Sequence, residues 1–278
     1  MNKVLIISFL TLAFAKGCKP ENIQPNEVNF LSERKQDSTY VHIVSNSFAP
    51  MEISVGLKNG ELKNIHIKNH GLLKSKDTLF KVIIVPNTVI DSIGETKLLR
   101  KHITAKFDYG DSKTAVHNDA YVYSLPVAIG KKVRISQGFN GKKSHSSIAS
   151  KYAIDFDIPV GTEIYAAREG IVVYTITGYK KAGGKAYVKK ANKILILHDD
   201  GTFAAYSHLM YNGALVKKGD TVQRGQLIGY SGNTGYSSGP HLHFAVRLPK
   251  DICVPIYFEG YENKALKKGD HVKRIKIQ

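Results

Sequence analysis

The sequence predicts a mainly β protein, with an N-terminal β-sandwich-like domain followed by a compact antiparallel β-sandwich domain. Two observations carry this expectation. The chain has 24 Gly and 15 Tyr in 278 residues and no Trp, a composition that suits turn-rich strands better than a helical bundle. Short runs of alternating apolar and polar residues also recur between turn signals, at a spacing typical of packed sheets. The length is enough for two domains, each with its own core. A hydrophobic fraction of 42% with 23% charged residues argues against disorder.

From the N-terminus, residues 1–18 read as an export signal. Lys3 supplies a positive start, and Val4 to Phe14 is apolar apart from Ser8 and Thr11, too short for a comfortable membrane span. Two processing sites compete: Ala13-Phe14-Ala15 suits ordinary signal peptidase, whereas Ala15-Lys16-Gly17-Cys18 resembles a lipobox with Cys18 as the lipidated residue. In a lipidated chain Cys253 would be the one remaining thiol, which excludes an internal disulfide. Residues 19–37 are polar, contain two prolines and read as a tether. Residues 38–125 carry alternating runs such as TYVHIV, MEISVGL and LFKVIIV, separated by turns such as Lys58-Asn59-Gly60. This stretch is the β-rich N-terminal domain. Its histidines, His42, His66, His70, His102 and His117, are scattered and read as strand-face or surface residues. Residues 126–260 form the second domain, and 261–278 read as a solvated basic tail. The net charge of +17 favours a polyanionic partner. Export makes that partner an envelope polymer rather than nucleic acid.

The second domain carries the chemistry. In Gly239-Pro240-His241-Leu242-His243-Phe244 a strand would project His241 and His243 to one face and Leu242 into a core. Leu195 to His198 reads as a strand closed by an Asp-Gly turn, and Phe203 to Leu209 as its return. His208 then sits at a strand end before a loop. His198, beside the turn, is best explained by surface placement or local hydrogen bonding. Upstream, His145 precedes Tyr152-Ala153-Ile154-Asp155-Phe156-Asp157, whose alternation puts Asp155 and Asp157 opposite the apolar side. Asp157 reads as solvent-exposed, and Asp155 as a metal ligand. A His, Asp, His set leaves a fourth tetrahedral position for water, as in catalytic zinc sites, and two further imidazoles could orient the nucleophile and move protons.

The ordered set His145…Tyr152-Ala153-Ile154-Asp155-Phe156, Tyr206-Ser207-His208-Leu209 and Ser231-Gly232-Asn233-Thr234-Gly235…His241-Leu242-His243 resembles the lysostaphin-type, LytM-like zinc metallopeptidases that cut peptidoglycan peptides. The match covers roughly residues 130–250. It implies zinc as cofactor, His145, Asp155 and His243 as its ligands, His208 and His241 as catalytic histidines, and peptidoglycan peptide cross-links as substrate. His145 lies ten residues before Asp155, a longer gap than the family's compact pattern, so the resemblance is to a branch with an SH…YAIDF phrase.

Two rivals stand beside that expectation. Val216 to Gly229 is similar to the hammerhead turns of biotinyl and lipoyl carrier domains, but no modifiable lysine sits in the matching hairpin. A non-catalytic envelope regulator, which binds peptidoglycan or activates an amidase, is the alternative known among relatives that have lost ligands. Here all five positions are present. Residues 178–193 hold Lys180, Lys181, Lys185, Lys189, Lys190 and Lys193, which reads as a solvated face or as a border of the substrate groove.

Overall fold

The computed structural model describes residues 27–58, 64–74 and 80–276. The export signal with Cys18, and the first part of the predicted tether, lie outside the described residues. Strands predominate among the described residues and the helical stretches are few and short, so the mainly β expectation holds. No helix among the described residues is long and apolar enough to cross a membrane. The chain divides into two compact units, the first reaching Asp111 and the second starting at Ser112.

The first unit contains β1 (Val28–Arg34), β2 (Ser38–Ser45), β3 (Met51–Leu57), β4 (His66–Ile67), β5 (His70–Leu73), β6 (Phe80–Pro86) and β7 (Ile103–Tyr109). They form two antiparallel sheets, ordered β1-β2-β6-β4 and β5-β3-β7. Alternation decides which side is buried: Met51, Ile53 and Val55 face the core, as do Val41 and Ile43. Between β6 and β7 the chain forms α1 (Asn87–Ile93) and a second helical stretch over residues 95–102, both too brief to show a helical period in the sequence. One expectation is corrected here. Residues 28–34, read as tether, are a full strand, because Val28 and Phe30 are buried while polar neighbours dilute the composition.

The second unit contains β8 (Val122–Tyr123), β9 (Lys132–Gln137), β10 (Ile154–Asp157), β11 (Glu163–Tyr165), β12 (Gly170–Ile176), β13 (Ala182–Gly183), β14 (Asn192–Leu197) and β15 (Phe203–Ala214). It continues with β16 (Thr221–Val222), β17 (Leu227–Ser231), β18 (Gly235–Tyr236), β19 (Leu242–Leu248), β20 (Ile252–Cys253), β21 (Tyr257–Phe258) and β22 (His271–Lys273). The main path is β16-β12-β14-β15-β19-β10-β9-β22, and β17 joins both β11 and β15. One strand thus serves three ladders: β15 pairs with β14 and β19 along its first half and with β17 at Leu209 and Ala214. Ile164 of β11 and Ile228 of β17 lie in the same core as Phe156, Ile194, Tyr206 and Phe244 of the main path.

The predicted tail is also corrected. Its lysines are exposed, but Leu266 and Val272 are buried in this core and β22 pairs with β9. A single apolar residue between His271 and Lys273 gives little compositional signal.

Of the two readings of His198, surface placement is corrected and hydrogen bonding is what the structure shows. It is 2% exposed, and Nδ1–H donates to the Glu169 carbonyl at 2.7 Å. Arg168 beside it is held by Asp199 and by Asp200, the latter at 2.6 Å. Burial pushes the His198 pKa down to about 4 against the pull of the Glu169 carbonyl, and the Arg168 charge adds to the effect. Between about pH 6.5 and 4 the unfolded chain therefore binds a proton that the folded chain refuses. The stability this histidine contributes is complete above pH 6.5 and is lost as pH falls, by about 3 kcal/mol once pH 4 is reached. His198→Asn keeps a donor for Glu169 and removes the titration. Urea unfolding across this pH range is expected to show a shallower acid loss for the variant than for the wild type.

Candidate metal centre

The centre is assembled from three adjacent strands of the main sheet and one loop. Asp155 of β10 stands directly opposite His243 of β19, and Ser207 of β15 stands opposite His243 on the other side. Within β19, Leu242 and Phe244 are fully buried in the core, so the strand period turns His243 to the other face, as the sequence predicts. His241 lies just before β19, bridged to Gly232.

His208 is not at a strand end. It lies inside β15, where the ladder with β14 slips between Lys193↔Ser207 and Asn192↔Leu209. The extra residue of this bulge is His208, with φ +66°. A bulge re-aims the side chain it carries, and left-handed backbone is rare for residues other than glycine. The neighbours that hold it are therefore part of the site.

His145 comes from the loop after β9. Gly138 opens that loop where a Cβ would collide with the Leu266 carbonyl. Gln137 organises the rest: its Oε1 accepts from the Lys143 and Ser144 amides at 3.0 and 3.3 Å, and its Nε2 donates to Asp155 Oδ2 at 3.0 Å. His145 is fully buried, with Nε2 3.1 Å from Asp155 Oδ1. His243 Nδ1 is 2.8 Å from the same oxygen.

His145, Asp155 and His243 each offer a ligand atom, all within 4.8 Å of one another, and no other such group converges among the described residues. Burial opposes ionisation of Asp155, but hydrogen bonds from His145 and His243 overcome it and hold the carboxyl well below the usual range. A buried carboxylate needs a cation or donors, and two imidazoles with one carboxylate and no thiolate suit zinc. Cys253, a buried free thiol, is not in the group. The donor set thus fits a catalytic zinc site in number and in chemistry.

His208 and His241 stand beside this triad, with ring centroids 4.6 Å apart, and His208 is 5.9 Å from the His243 ring. His241 Nε2 is 4.0 Å from Asp155 Oδ1. Carbonyls fix the tautomers, because an oxygen can only accept. Nδ1–H of His145 donates to Gly138 at 2.9 Å, that of His208 to Thr234 at 2.6 Å, and that of His241 to Gly239 at 2.8 Å. All three therefore present Nε2. Burial, then the neighbouring His241 and His243, push the His208 pKa down to about 3. Asp157, two residues from Asp155, is exposed and paired with Arg134 at 3.1 Å, as the sequence suggests.

Asn192 and Thr234 form a support that the sequence reading does not single out. Asn192 is fully buried, and its amide side chain donates to the Leu209 and Met210 carbonyls at 3.3 and 3.0 Å. Its backbone N–H donates to Thr234 Oγ1 at 3.0 Å, which itself donates to the Leu209 carbonyl at 2.8 Å. The left-handed bulge at His208 is thus clamped from behind. Asn192 carries no local signal beyond ending a lysine-rich stretch; Thr234 belongs to the SGNTG phrase. Thr234→Val leaves the Asn192 N–H without an acceptor, at a cost of about 1–3 kcal/mol. It is expected to lower kcat by up to about a hundredfold through misplacement of His208. Thr234→Ser, which keeps the hydroxyl, restores most of that loss in the same assay.

Residues 149–255 match Peptidase family M23. The matched range contains Asp155, His208, His241 and His243, and His145 lies just before it. An uncharacterized metalloprotease of Buchnera aphidicola subsp. Baizongia pistaciae is 33% identical over 211 residues, covering 73% of this chain and 51% of the relative. Peptidoglycan DD-endopeptidase ShyA of Vibrio cholerae is 39% identical over 152 residues, covering 50% of this chain and 33% of that protein. The chain therefore spans about half and a third of the lengths of these two relatives. Among solved structures, the catalytic domain of lysostaphin from Staphylococcus simulans aligns with a TM-score of 0.34 at 31% identity, covering 45% of this chain and 87% of that one. Residues 149–255 are thus a Peptidase family M23 domain.

Proposed function

We propose that this protein is a zinc-dependent endopeptidase that hydrolyses peptide cross-links of bacterial peptidoglycan. The observation that carries the reading is the convergence of His145, Asp155 and His243 on one point, with the Nε2 faces of His208 and His241 beside it. ShyA is named a peptidoglycan DD-endopeptidase, which supports the substrate class.

His145, Asp155 and His243 are the zinc ligands, and Gln137 orients the carboxylate from behind. Zinc held there supplies a Lewis acid that acidifies water and polarises the scissile carbonyl. His208 and His241 are the catalytic histidines. With Nδ1–H committed to Thr234, His208 offers a lone pair at Nε2. A proton taken there makes an imidazolium that burial disfavours, so it is passed on readily to the departing amine. His241, held by Gly239 and facing the same space, orients water and steadies the charge developing on the carbonyl oxygen.

An exported chain anchored through Cys18 would act in the cell envelope, where its net charge of +17 favours anionic wall polymer. Digestion of purified sacculi tests the reading. The protein is expected to release fragments whose masses identify a cut cross-link, to lose that activity on chelation, and to regain it with zinc. Intact sacculi in every condition, with the protein folded and zinc-loaded, would overturn the endopeptidase and favour a binding regulator.

A further inference from the structure

Residues 178–193 contain six lysines and no acidic residue, yet they are not a loose loop. β13 pairs in parallel with β18. The Gly235 amide donates to the Lys181 carbonyl at 3.0 Å, and the Ser237 amide to the Gly183 carbonyl at 3.3 Å. At the far end, Gly235 has φ +79°, and a Cβ there would collide with Ala191. Asn192 closes the strap on itself: its side chain accepts from the Tyr179 amide at 2.9 Å and donates to the Tyr179 carbonyl at 2.8 Å. The segment to which the strap is stitched follows Thr234, whose carbonyl holds His208. The backbone of a lysine-rich strap is thus held in register with the segment that fixes one histidine of the centre.

Lys180 and Lys190 lie over the rings of Tyr211 and Tyr187, at 4.5 and 4.9 Å. Lys181 and Lys185 are exposed and pair with no acidic side chain among the described residues. Residues 231–241, on the other side of the β13–β18 contact, contain no charged residue except His241. No charge of the chain's own sequence in these two segments offsets the lysines.

We infer that this strap is a subsite for substrate carboxylates, read chiefly by Lys181 and Lys185. The preferred substrate is then a cross-linked muropeptide whose stem carboxyls are free rather than amidated. The inference rests on the endopeptidase reading and adds the charge state of the substrate to it. Ammonium groups carried on a backbone held in register favour an anion, and the attraction weakens with salt.

The test uses two soluble cross-linked muropeptide dimers, one with free stem carboxyls and one with carboxamides. Both are titrated into the zinc-loaded full chain carrying His241→Ala, which slows turnover and leaves the strap intact. The free-carboxyl dimer is expected to bind roughly threefold to tenfold more tightly at low salt. Adding Lys181→Ala with Lys185→Ala should abolish the preference without changing the affinity for the carboxamide dimer. Adding Lys267→Ala with Lys268→Ala instead, an equal loss of charge elsewhere, should preserve it. Equal affinity for the two dimers, a preference that survives in the strap variant, or equal loss in the control would each overturn the subsite. Cleavage of the dimers by the wild type is scored separately: failure to cut either, with the binding preference intact, counts against the endopeptidase and not against the subsite.

Discussion

Asp155→Ala is expected to abolish zinc retention and with it all hydrolysis. The carboxylate sits between His145 Nε2 and His243 Nδ1, at 3.1 and 2.8 Å, so in the proposed centre it completes the ligand set that those two nitrogens begin. Loss of an outer-shell partner alone costs about 10–100-fold in metal affinity, and loss of a ligand exceeds that. The companion Asp157→Ala removes an exposed ion pair with Arg134, worth less than about 1 kcal/mol. It should keep zinc, activity and thermal midpoint. Metal analysis after dialysis, with circular dichroism to verify folding, checks both. A folded Asp155→Ala protein that retains stoichiometric zinc would refute the ligand assignment.

His208→Asn should separate chemistry from metal binding. Asparagine tolerates the left-handed backbone that His208 adopts, and its amide can still donate to the Thr234 carbonyl. What disappears is the Nε2 lone pair. Removing a general acid–base group costs about 10²–10⁴-fold in rate, so kcat should fall by that much while zinc content stays near one per chain. Equal kcat in the variant and the wild type would exclude His208 from proton transfer.

Those elements of the site that depend on strand alternation are legible in the sequence. Leu242 between His241 and His243, and Ile154 and Phe156 around Asp155, follow the period of two, and the structure places each on the expected side. His208 is misplaced by the same reasoning, because a bulge breaks the period and no local residue announces it. The ladder slip opposite Asn192 creates it, and Asn192 and Thr234 maintain it through long-range hydrogen bonds. His145 is legible only through the resemblance; its approach to Asp155 depends on the turn that Gln137 and Gly138 organise.

Outside the site, the misread segments share one cause. Val28 and Phe30 in the predicted tether, and Leu266 and Val272 in the predicted tail, are few apolar residues among charged ones. Composition averages them away, whereas a sheet edge or a core needs only that they point one way. His198 is half legible: its turn-side position suggests surface placement or local hydrogen bonding, and the structure buries it with Nδ1–H on the Glu169 carbonyl.

The central claim is that two imidazoles and one carboxylate hold a catalytic metal. Zinc K-edge absorption of the purified, zinc-loaded protein tests it most directly. The account predicts about one zinc per chain in a shell of nitrogen and oxygen near 2.0–2.2 Å, with no sulfur. A Zn–S distance near 2.3 Å, or an unchanged spectrum in folded Asp155→Ala, would contradict it.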